Sequence, residues 1–448
     1  MKRGFLGCLL LSALACGVQE IELAPPVGAV IVQGDVPRAA LEQLARTPPG
    51  KPEPRVALTE PADGIAVPGN ITPLTFRFKS DKKPMMMEPM MEPMMERMMK
   101  APGGGAAQAF ELTLRAGARE LRLYTREDRA VLSESHWQSL LDVSPGTELQ
   151  VQLQALQEDG RVVTSAPIAI VLLAPLTTGR LAYWSDSSGR ALGVQMEQAA
   201  AYEIEAGFPA LQPWESRHAQ AQLVASAQAG LLRVARAEHE LPLSWGAAFQ
   251  VEQPEWLSDA SALLFVATPT AAAGPGVKPP MPPPEPAPAP AAAGSALLRA
   301  RWLDAQTLSA PDVLFESDKA DELLRAPSSC PGARHVVFER AKEKDAVGKL
   351  WSIDSEGGEP SELGMGPGWK GEGGTPTCFP GGADGELWVA FSDTRAPADD
   401  KLEPNQLQLW LVAARESAEG RLVATHQPFW LPQQRLDESN RRLLRFEQ

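Results

Sequence analysis

The sequence predicts an all-β protein with two domains, a small β-sandwich followed by a β-propeller of roughly six blades. Among its 448 residues are 42 prolines, 37 glycines and 11 tryptophans, a turn-rich composition that differs from that of a helical bundle. Short apolar stretches of alternating pattern recur from Arg55 onward, and a longer unit of several strands repeats from Gly179 onward. Such repeats are typical of propeller blades.

The N-terminus has the pattern of a secretory signal. Lys2 and Arg3 precede an apolar run over residues 5–15, which is too short to span a bilayer. We therefore expect residues 1–16 to be a signal peptide.

The end of this run, Ala13-Leu14-Ala15-Cys16, resembles a bacterial lipobox, although the motif prefers leucine where this chain has Ala13. The resemblance implies cleavage before Cys16 and a diacylglyceryl group on its sulfur, so that acyl chains tether the protein to a membrane. The alternative is an ordinary signal peptide with a chance cysteine. Gly17 is not the aspartate that retains lipoproteins at the inner membrane of enteric bacteria, so the outer membrane is favoured.

Residues 17–54 are rich in proline and alanine with scattered charge, which predicts a disordered tether. The sandwich is then expected over residues 55–175. Its predicted strands are Ile71–Phe78, Phe110–Arg115, Leu121–Tyr124, Leu149–Gln154 and Ile168–Leu173. The opening Pro61-Ala62-Asp63-Gly64 and the lone Trp137 resemble an immunoglobulin-like or fibronectin-like domain, although the Cys…Trp…Cys pattern is absent.

A methionine-rich insertion is predicted over residues 84–105 of the sandwich. Nine of the 13 methionines lie between Met85 and Met99, in Met-Met-Glu-Pro units. Thioethers suit Cu(I). The weak candidate ligands are Met86, Met87, Met90, Met91, Met94 and Met95. The alternative is a solvated repeat in a hairpin, in which Pro89 and Pro93 prevent a helix.

The propeller is expected over residues 176–448, with a proline-rich insertion at 271–294. Ten of the tryptophans lie in this part, and three segments share one template: Pro254–Asp259, Pro327–Gly332 and Pro376–Gly381. Each precedes an apolar strand and then a second strand with a tryptophan. The first strands are Ala262–Val266, His335–Phe338 and Leu387–Phe391, and the second are Ala300–Asp304, Leu350–Asp354 and Leu407–Val412.

The segment Leu350–Leu363, in which a strand ends in Asp354 before a glycine turn, resembles the repeat of TolB-type β-propellers. The rest of the chain resembles uncharacterised envelope lipoproteins of myxobacteria and their relatives, with the sandwich and the segments Leu181–Ser185, Trp388–Arg395 and Pro428–Gln434 as matching features. The TolB resemblance implies a peptidoglycan-associated lipoprotein or an envelope complex as partner. Many relatives are expected to carry a haem-type Cys-x-x-Cys-His motif, but Leu211–His218 has no cysteine, so haem attachment is not carried over.

The sequence has no catalytic constellation, and we expect no cofactor. The five histidines lack the spacing of a helical zinc site, and His335 is interpreted as a half-buried residue of a strand. Gly364–Gly371 lacks the ending of a phosphate loop, and no Gly-x-Ser-x-Gly elbow is present. The acid pairs Asp399–Asp400 and Asp318–Asp321 are interpreted as solvating loops, with calcium as the alternative.

Two cysteines remain after Cys16, in an oxidising compartment. Aligning the two templates puts Cys330 opposite Phe379 and Cys378 opposite Ser329, one residue out of register. Because this offset reverses the face of a strand, it permits a disulfide between consecutive blades. It is equally compatible with two buried thiols that point apart.

The last repeat, from Thr425, has room for two strands only. We expect a strand near Leu181–Trp184 to complete the blade of Phe429 and Trp430, because a propeller avoids open edges by sharing a blade between its termini.

These features predict a non-enzymatic, lipid-anchored envelope protein whose propeller binds a protein or a glycan. The net charge of -14 argues against nucleic acid as a partner, and we expect a monomer. The alternatives are an envelope enzyme that acts on glycan with acids in the propeller funnel, and copper binding by the methionine run.

Overall fold

A computed structural model describes residues 18–19, 28–69, 71, 74–80, 107–132, 134–141, 146–174, 176, 180–195, 201–203, 215–218, 222–228, 231–236, 239–241, 243, 249–269, 295–319, 321–342, 347–365, 369, 373–381, 385–395, 402–403, 406–431, 434 and 439–445. Within these residues the chain is all-β, as predicted, with two short helices. None of the described helices is long and apolar enough to cross a membrane.

The elements before residue 180 are β1 (Val18–Gln19), β2 (Gly28–Gln33), α1 (Arg38–Arg46), β3 (Val56–Glu60), β4 (Ile65–Pro68), β5 (Thr75–Ser80), β6 (Ala107–Ala116), β7 (Arg119–Thr125), β8 (Arg129–Val131), α2 (Glu134–Leu141), β9 (Thr147–Gln157), β10 (Val162–Thr164) and β11 (Ile168–Leu173). The strands predicted at 110–115, 121–124, 149–154 and 168–173 are confirmed as β6, β7, β9 and β11. The strand predicted at 71–78 begins later, as β5.

The first compact unit comprises Met1–Glu60, Thr75–Leu132 and Leu149–Ala169. Its larger sheet has the order β1-β2-β7-β6-β9, and β10 pairs with β9; its smaller sheet has the order β3-β5-β8. Phe78 and Phe110, one from each sheet, have ring centroids 4.7 Å apart. Because β2 runs parallel to β7, the larger sheet is mixed, and the immunoglobulin-like assignment is not confirmed.

The predicted disordered tether over residues 17–54 is wrong for the described residues. They form β1, β2 and α1, and Leu41 and Leu44 of α1 are buried in one apolar cluster with Tyr124 and Leu156. The reason is the helical spacing of these apolar residues, which gives α1 a buried face despite the prolines around it.

The second compact unit comprises Pro61–Leu74, Ser133–Glu148 and Ile170–Gln448. In it β4 pairs in parallel with the end of β11, Ile65 opposite Ile170. Trp137, which the sequence placed in the sandwich, lies on α2 and is fully buried.

The remaining strands all belong to the second unit. They are β12 (Arg180–Ser185), β13 (Arg190–Gln195), β14 (Ala201–Glu203), β15 (Glu215–His218), β16 (Leu223–Gln228), β17 (Leu231–Arg236), β18 (His239–Leu241), β19 (Phe249–Trp256), β20 (Ala262–Pro269), β21 (Ala296–Arg301), β22 (Asp312–Glu316), β23 (Leu323–Ser329), β24 (His335–Ala341), β25 (Lys349–Asp354), β26 (Ser361–Glu362), β27 (Gly374–Pro380), β28 (Leu387–Asp393), β29 (Gln408–Glu416), β30 (Leu422–Ala424), β31 (Phe429–Trp430) and β32 (Asn440–Arg445).

These strands form five antiparallel sheets in succession, which is the organisation of a β-propeller. Sheet 1 has the order β14-β13-β12-β32, sheet 2 is β15–β18, sheet 3 is β19–β22, sheet 4 is β23–β26, and sheet 5 is β27–β30 with β31 paired to β29. The first strands of neighbouring sheets, β15, β19, β23 and β27, pack side by side. The propeller is thus supported, while the predicted count of about six blades is not confirmed.

The three template segments end the first strands of sheets 3, 4 and 5, and the apolar strands that follow them are confirmed as β20, β24 and β28. The residue before the template proline is left-handed in each, with φ of 47° at Gln253, 45° at Ala326 and 42° at Thr375. The pairing register shifts at the same places. The template therefore encodes a β-bulge.

The termini of the propeller share a sheet, but not the sheet that the sequence suggested. β12 pairs antiparallel with β32, Leu181 opposite Arg445, in sheet 1. Phe429 and Trp430 instead pair with Leu411 and Trp410 of sheet 5. The predicted partner of this strand, the blade of Phe429 and Trp430, was wrong because the two strands after Thr425 lie in different sheets.

Candidate functional site

Successive strands of each propeller sheet run in opposite directions, so that they begin and end along two opposite sides of the sheet, which we call its edges. We call the edge where the first strand ends and the second begins the first edge, and the opposite one, where the second strand ends and the third begins, the second edge. Buried polar groups of sheets 3, 4 and 5 gather at the second edge.

Glu339 of β24 is a buried carboxylate of this edge, only 2% exposed. It accepts hydrogen bonds from the backbone N–H groups of Gly348 at 2.9 Å and Thr375 at 3.2 Å, and it lies 3.5 Å from the guanidinium of Arg325. The bulge turns the Thr375 N–H away from the ladder of its own sheet, and the neighbouring sheet supplies the acceptor. Gln253 Oε1 accepts the Ala326 N–H in the same way at 2.7 Å.

Asp393, the last residue of β28, organises the adjacent loop. It is buried, and its Oδ1 accepts the backbone N–H of Arg395 at 3.0 Å. This turn aims Arg395 back over Trp369, with the guanidinium carbon 4.6 Å from the ring centroid. We name these two residues the Arg395–Trp369 pair. Arg395 is exposed and Trp369 is half-buried.

Trp369 is held by two further aromatic rings. Its centroid lies 5.9 Å from that of Phe391 and 5.1 Å from that of Trp410, both in edge-on geometry. Such contacts each contribute about 1 kcal/mol beyond area burial. The ring is therefore a fixed support for the guanidinium.

Gln434 ties the start of β32 to sheet 5. Its Oε1 accepts the Leu409 N–H at 2.7 Å, and its Nε2 donates to the carbonyls of Leu409 at 2.8 Å and Leu431 at 2.7 Å. Asn440 Nδ2 donates to the same Oε1 at 3.3 Å. Gln434, the last residue of a segment that carried part of the family resemblance, thus has a structural role where β32 begins beside sheet 5.

A second arginine at this edge contacts two aromatic rings and a carboxylate of the protein itself. Arg340 lies over Trp351 at 4.1 Å and Phe315 at 5.0 Å, and its Nη2 donates to Glu322 Oε2 at 2.7 Å. Desolvation raises the pKa of Glu322, but the hydrogen bonds from Arg340 and Ser317 outweigh it and leave that pKa below its ordinary value.

The first edge carries ion pairs that join neighbouring sheets. Arg299 is buried and lies 3.2 Å from Glu356 and 3.5 Å from Asp312, and its guanidinium also donates to the Ser355 carbonyl. These contacts link sheets 3 and 4.

His335 joins sheets 4 and 5 at the same edge. It is buried, and its Nε2 lies 3.2 Å from Glu416, which also pairs with Arg334 at 2.5 Å. Arg334 in turn lies 3.7 Å from Asp354. A histidine and two carboxylates thus lie close together. Because the guanidinium of Arg334 pairs with both carboxylates, the cluster is a structural link between sheets 4 and 5.

The first unit contains a separate buried carboxylate, Glu111 of β6. Thr113 donates to it at 3.3 Å, and Arg122 lies 3.6 Å away. Arg122 also pairs with Glu120 at 2.6 Å. Desolvation raises the pKa of Glu111 above its ordinary value, against the opposing field of Arg122.

The structure joins Cys330 to Cys378 as a disulfide, with the Cα atoms 4.8 Å apart. The sequence left a bridge and two divergent thiols open, and the structure has the bridge, between sheets 4 and 5. Cys16, the six candidate copper ligands, Asp399–Asp400 and the insertion at 271–294 lie outside the described residues. Within the described part no group of three or more His, Cys, Asp or Glu side chains could hold a metal ion.

Sequence reasoning missed Glu339, Trp369 and Arg395 as a site. Trp369 was considered only as part of the rejected phosphate loop at 364–371, and Arg395 only as the end of a matching segment. The available signal was that Asp393 ends an apolar strand two residues before Arg395, a spacing typical of an Asx turn.

No protein-family profile matches the chain, and no curated protein matches it. Among solved structures, the nidogen/laminin complex is similar with 6% identity and a TM-score of 0.33 over 75% of this chain and 97% of that chain. An α-L-arabinanase of Penicillium chrysogenum is similar with 10% identity and a TM-score of 0.25 over 64% and 91%. The propeller domain of the trilobed protease from Pyrococcus furiosus is similar with 12% identity and a TM-score of 0.21 over 64% and 93%. These similarities carry no argument about function.

Proposed function

We propose that the chain is a non-enzymatic, lipid-anchored protein of the cell envelope, at the outer membrane, whose TolB-type propeller binds a partner. The observation that carries the proposal is the pairing of β12 with β32, which joins the two ends of the propeller in one sheet. Pairing of the first and last strands restrains the ends of the propeller, and loops that are carried on such a β scaffold suit recognition of another molecule.

The charged groups of the first edge support a binding role over catalysis. A general acid or base must exchange protons with a substrate. Glu416 and Asp354 both pair with Arg334, and His335 is buried against Glu416. The rival function, an envelope enzyme acting on glycan, would have to use this cluster as its acid and base. A His335→Gln variant tests the two roles. A catalytic role predicts the loss of any glycan-cleaving activity, whereas a structural role predicts a loss of stability alone.

Copurification from envelopes tests the binding role. We expect the tagged protein to recover a specific partner, and a Cys16→Ala variant to move to the soluble fraction. A chain that lacks residues 441–448 should recover less partner, because it loses most of β32 and with it the pairing to β12. Recovery of no partner above background from the wild type would contradict the proposal.

A further inference from the structure

The Arg395–Trp369 pair differs from the other arginine–aromatic contacts of the propeller. Arg340 stacks on Trp351 but donates to Glu322, and Arg236 lies 5.5 Å from the Trp302 ring but donates to the Ala305 carbonyl at 2.6 Å. The guanidinium of Arg395 has no carboxylate or carbonyl partner among the described residues. Arg395 is also exposed, so its N–H donors can be reached from solvent.

The position of this guanidinium is set in advance by buried groups. The backbone of Arg395 is fixed by the buried carboxylate of Asp393, and the ring beneath it is fixed by Phe391 and Trp410. A group that is held in its bound geometry loses little conformational entropy on binding. Arg395 is thus both accessible and preorganised.

We propose that the Arg395–Trp369 pair binds a carboxylate from an acidic segment of a protein partner. Guanidinium and carboxylate form bidentate, charge-assisted hydrogen bonds. Tryptophan and arginine are also the residues that most often dominate protein–protein interfaces. The inference rests on the proposed binding function and names the chemistry of the partner.

A fluorescein-labelled hexaglutamate peptide probes the pair by fluorescence anisotropy with the full mature protein. We expect Arg395→Ala to weaken binding at least tenfold. Arg395→Lys should weaken it several-fold, because lysine keeps the charge but loses the planar stacking and the bidentate geometry. The matched control is Arg236→Ala, which removes the other exposed arginine–tryptophan contact and should leave the affinity within twofold.

The proposal would be overturned by no binding of the peptide above that of hexaglutamine, by equal affinity of Arg395→Ala and wild type, or by an equal loss in Arg236→Ala. Competition by millimolar inorganic phosphate as strong as that by the unlabelled peptide would also overturn it, because it would show a site for any anion. If envelopes yield a partner that Arg395→Ala still retains, the site fails while the binding function stands. If no partner is recovered, the function itself fails.

Discussion

Removal of the disulfide should destabilise the propeller by an amount that follows from its place in the chain. Cys330 and Cys378 are 48 residues apart, and a cross-link that closes a loop of this length lowers the free energy of folding by about 4 kcal/mol in the chain-entropy account. Both residues are buried in one apolar cluster with Val337 and Trp410. Replacing both by alanine adds the cost of two small cavities.

Reductant separates the cross-link from the cavities. The sequence has four cysteines, and a protein that begins at Gly17 keeps only these two. Urea unfolding with and without reductant should differ by about 4 kcal/mol for the wild type, because the buried bond is reduced once the chain unfolds. The Cys330→Ala/Cys378→Ala variant should unfold identically in both conditions.

Alkylation of the denatured, unreduced protein gives the decisive control. Label on both cysteines would rule out the bridge. A bridged protein whose unfolding is insensitive to reductant would refute the loop-entropy reasoning, since the cross-link would then confer no stability.

Three further perturbations test other parts of the fold. Glu111→Gln should stabilise the first unit. Because the pKa of Glu111 is raised in the folded state, the stability contributed by its protonated form is lost as pH rises through that pKa, at about 1.4 kcal/mol per pKa unit. The gain in the free energy of urea unfolding should therefore grow from pH 4 to pH 8, and a constant difference would contradict this reasoning. Arg340→Ala should lower the free energy of unfolding by about 3–5 kcal/mol, because Glu322 is left buried without the guanidinium. The double variant Arg340→Met/Glu322→Gln should recover much of this loss in thermal melts. An equal loss in both variants would argue against the ion pair. Deletion of residues 441–448 should lower the melting temperature of the whole propeller in one transition. An unchanged melting temperature would contradict a stabilising role of the β12–β32 pairing.

The strands of the propeller were predictable because their information is local. Alternation and turn residues predict Ala262–Val266 and Leu387–Phe391 without knowledge of their neighbours. The template prolines even marked the bulges at Ala326 and Thr375, although the bulges themselves were not foreseen.

The partners of these elements were not predictable, because they depend on distant parts of the chain. Nothing local to Glu339 shows that its carboxylate accepts the Thr375 N–H of the next sheet. The two strands after Thr425 likewise carry no mark of the sheet that each joins. The candidate site is built from such non-local contacts, and for this reason sequence reasoning did not identify it.

The helix α1 shows how composition can mislead where burial decides. Residues 17–54 have the proline content of a linker, yet Leu41 and Leu44 recur at helical spacing and have the apolar face of β6, β7 and β9 to cover. Arg38–Glu42 and Glu42–Arg46 add ion pairs at i, i+4 on the exposed side, and each contributes only about 0.3–0.5 kcal/mol. The order of this segment is therefore a consequence of the sheet beneath it, because a nine-residue helix is too short to be stable in water by itself.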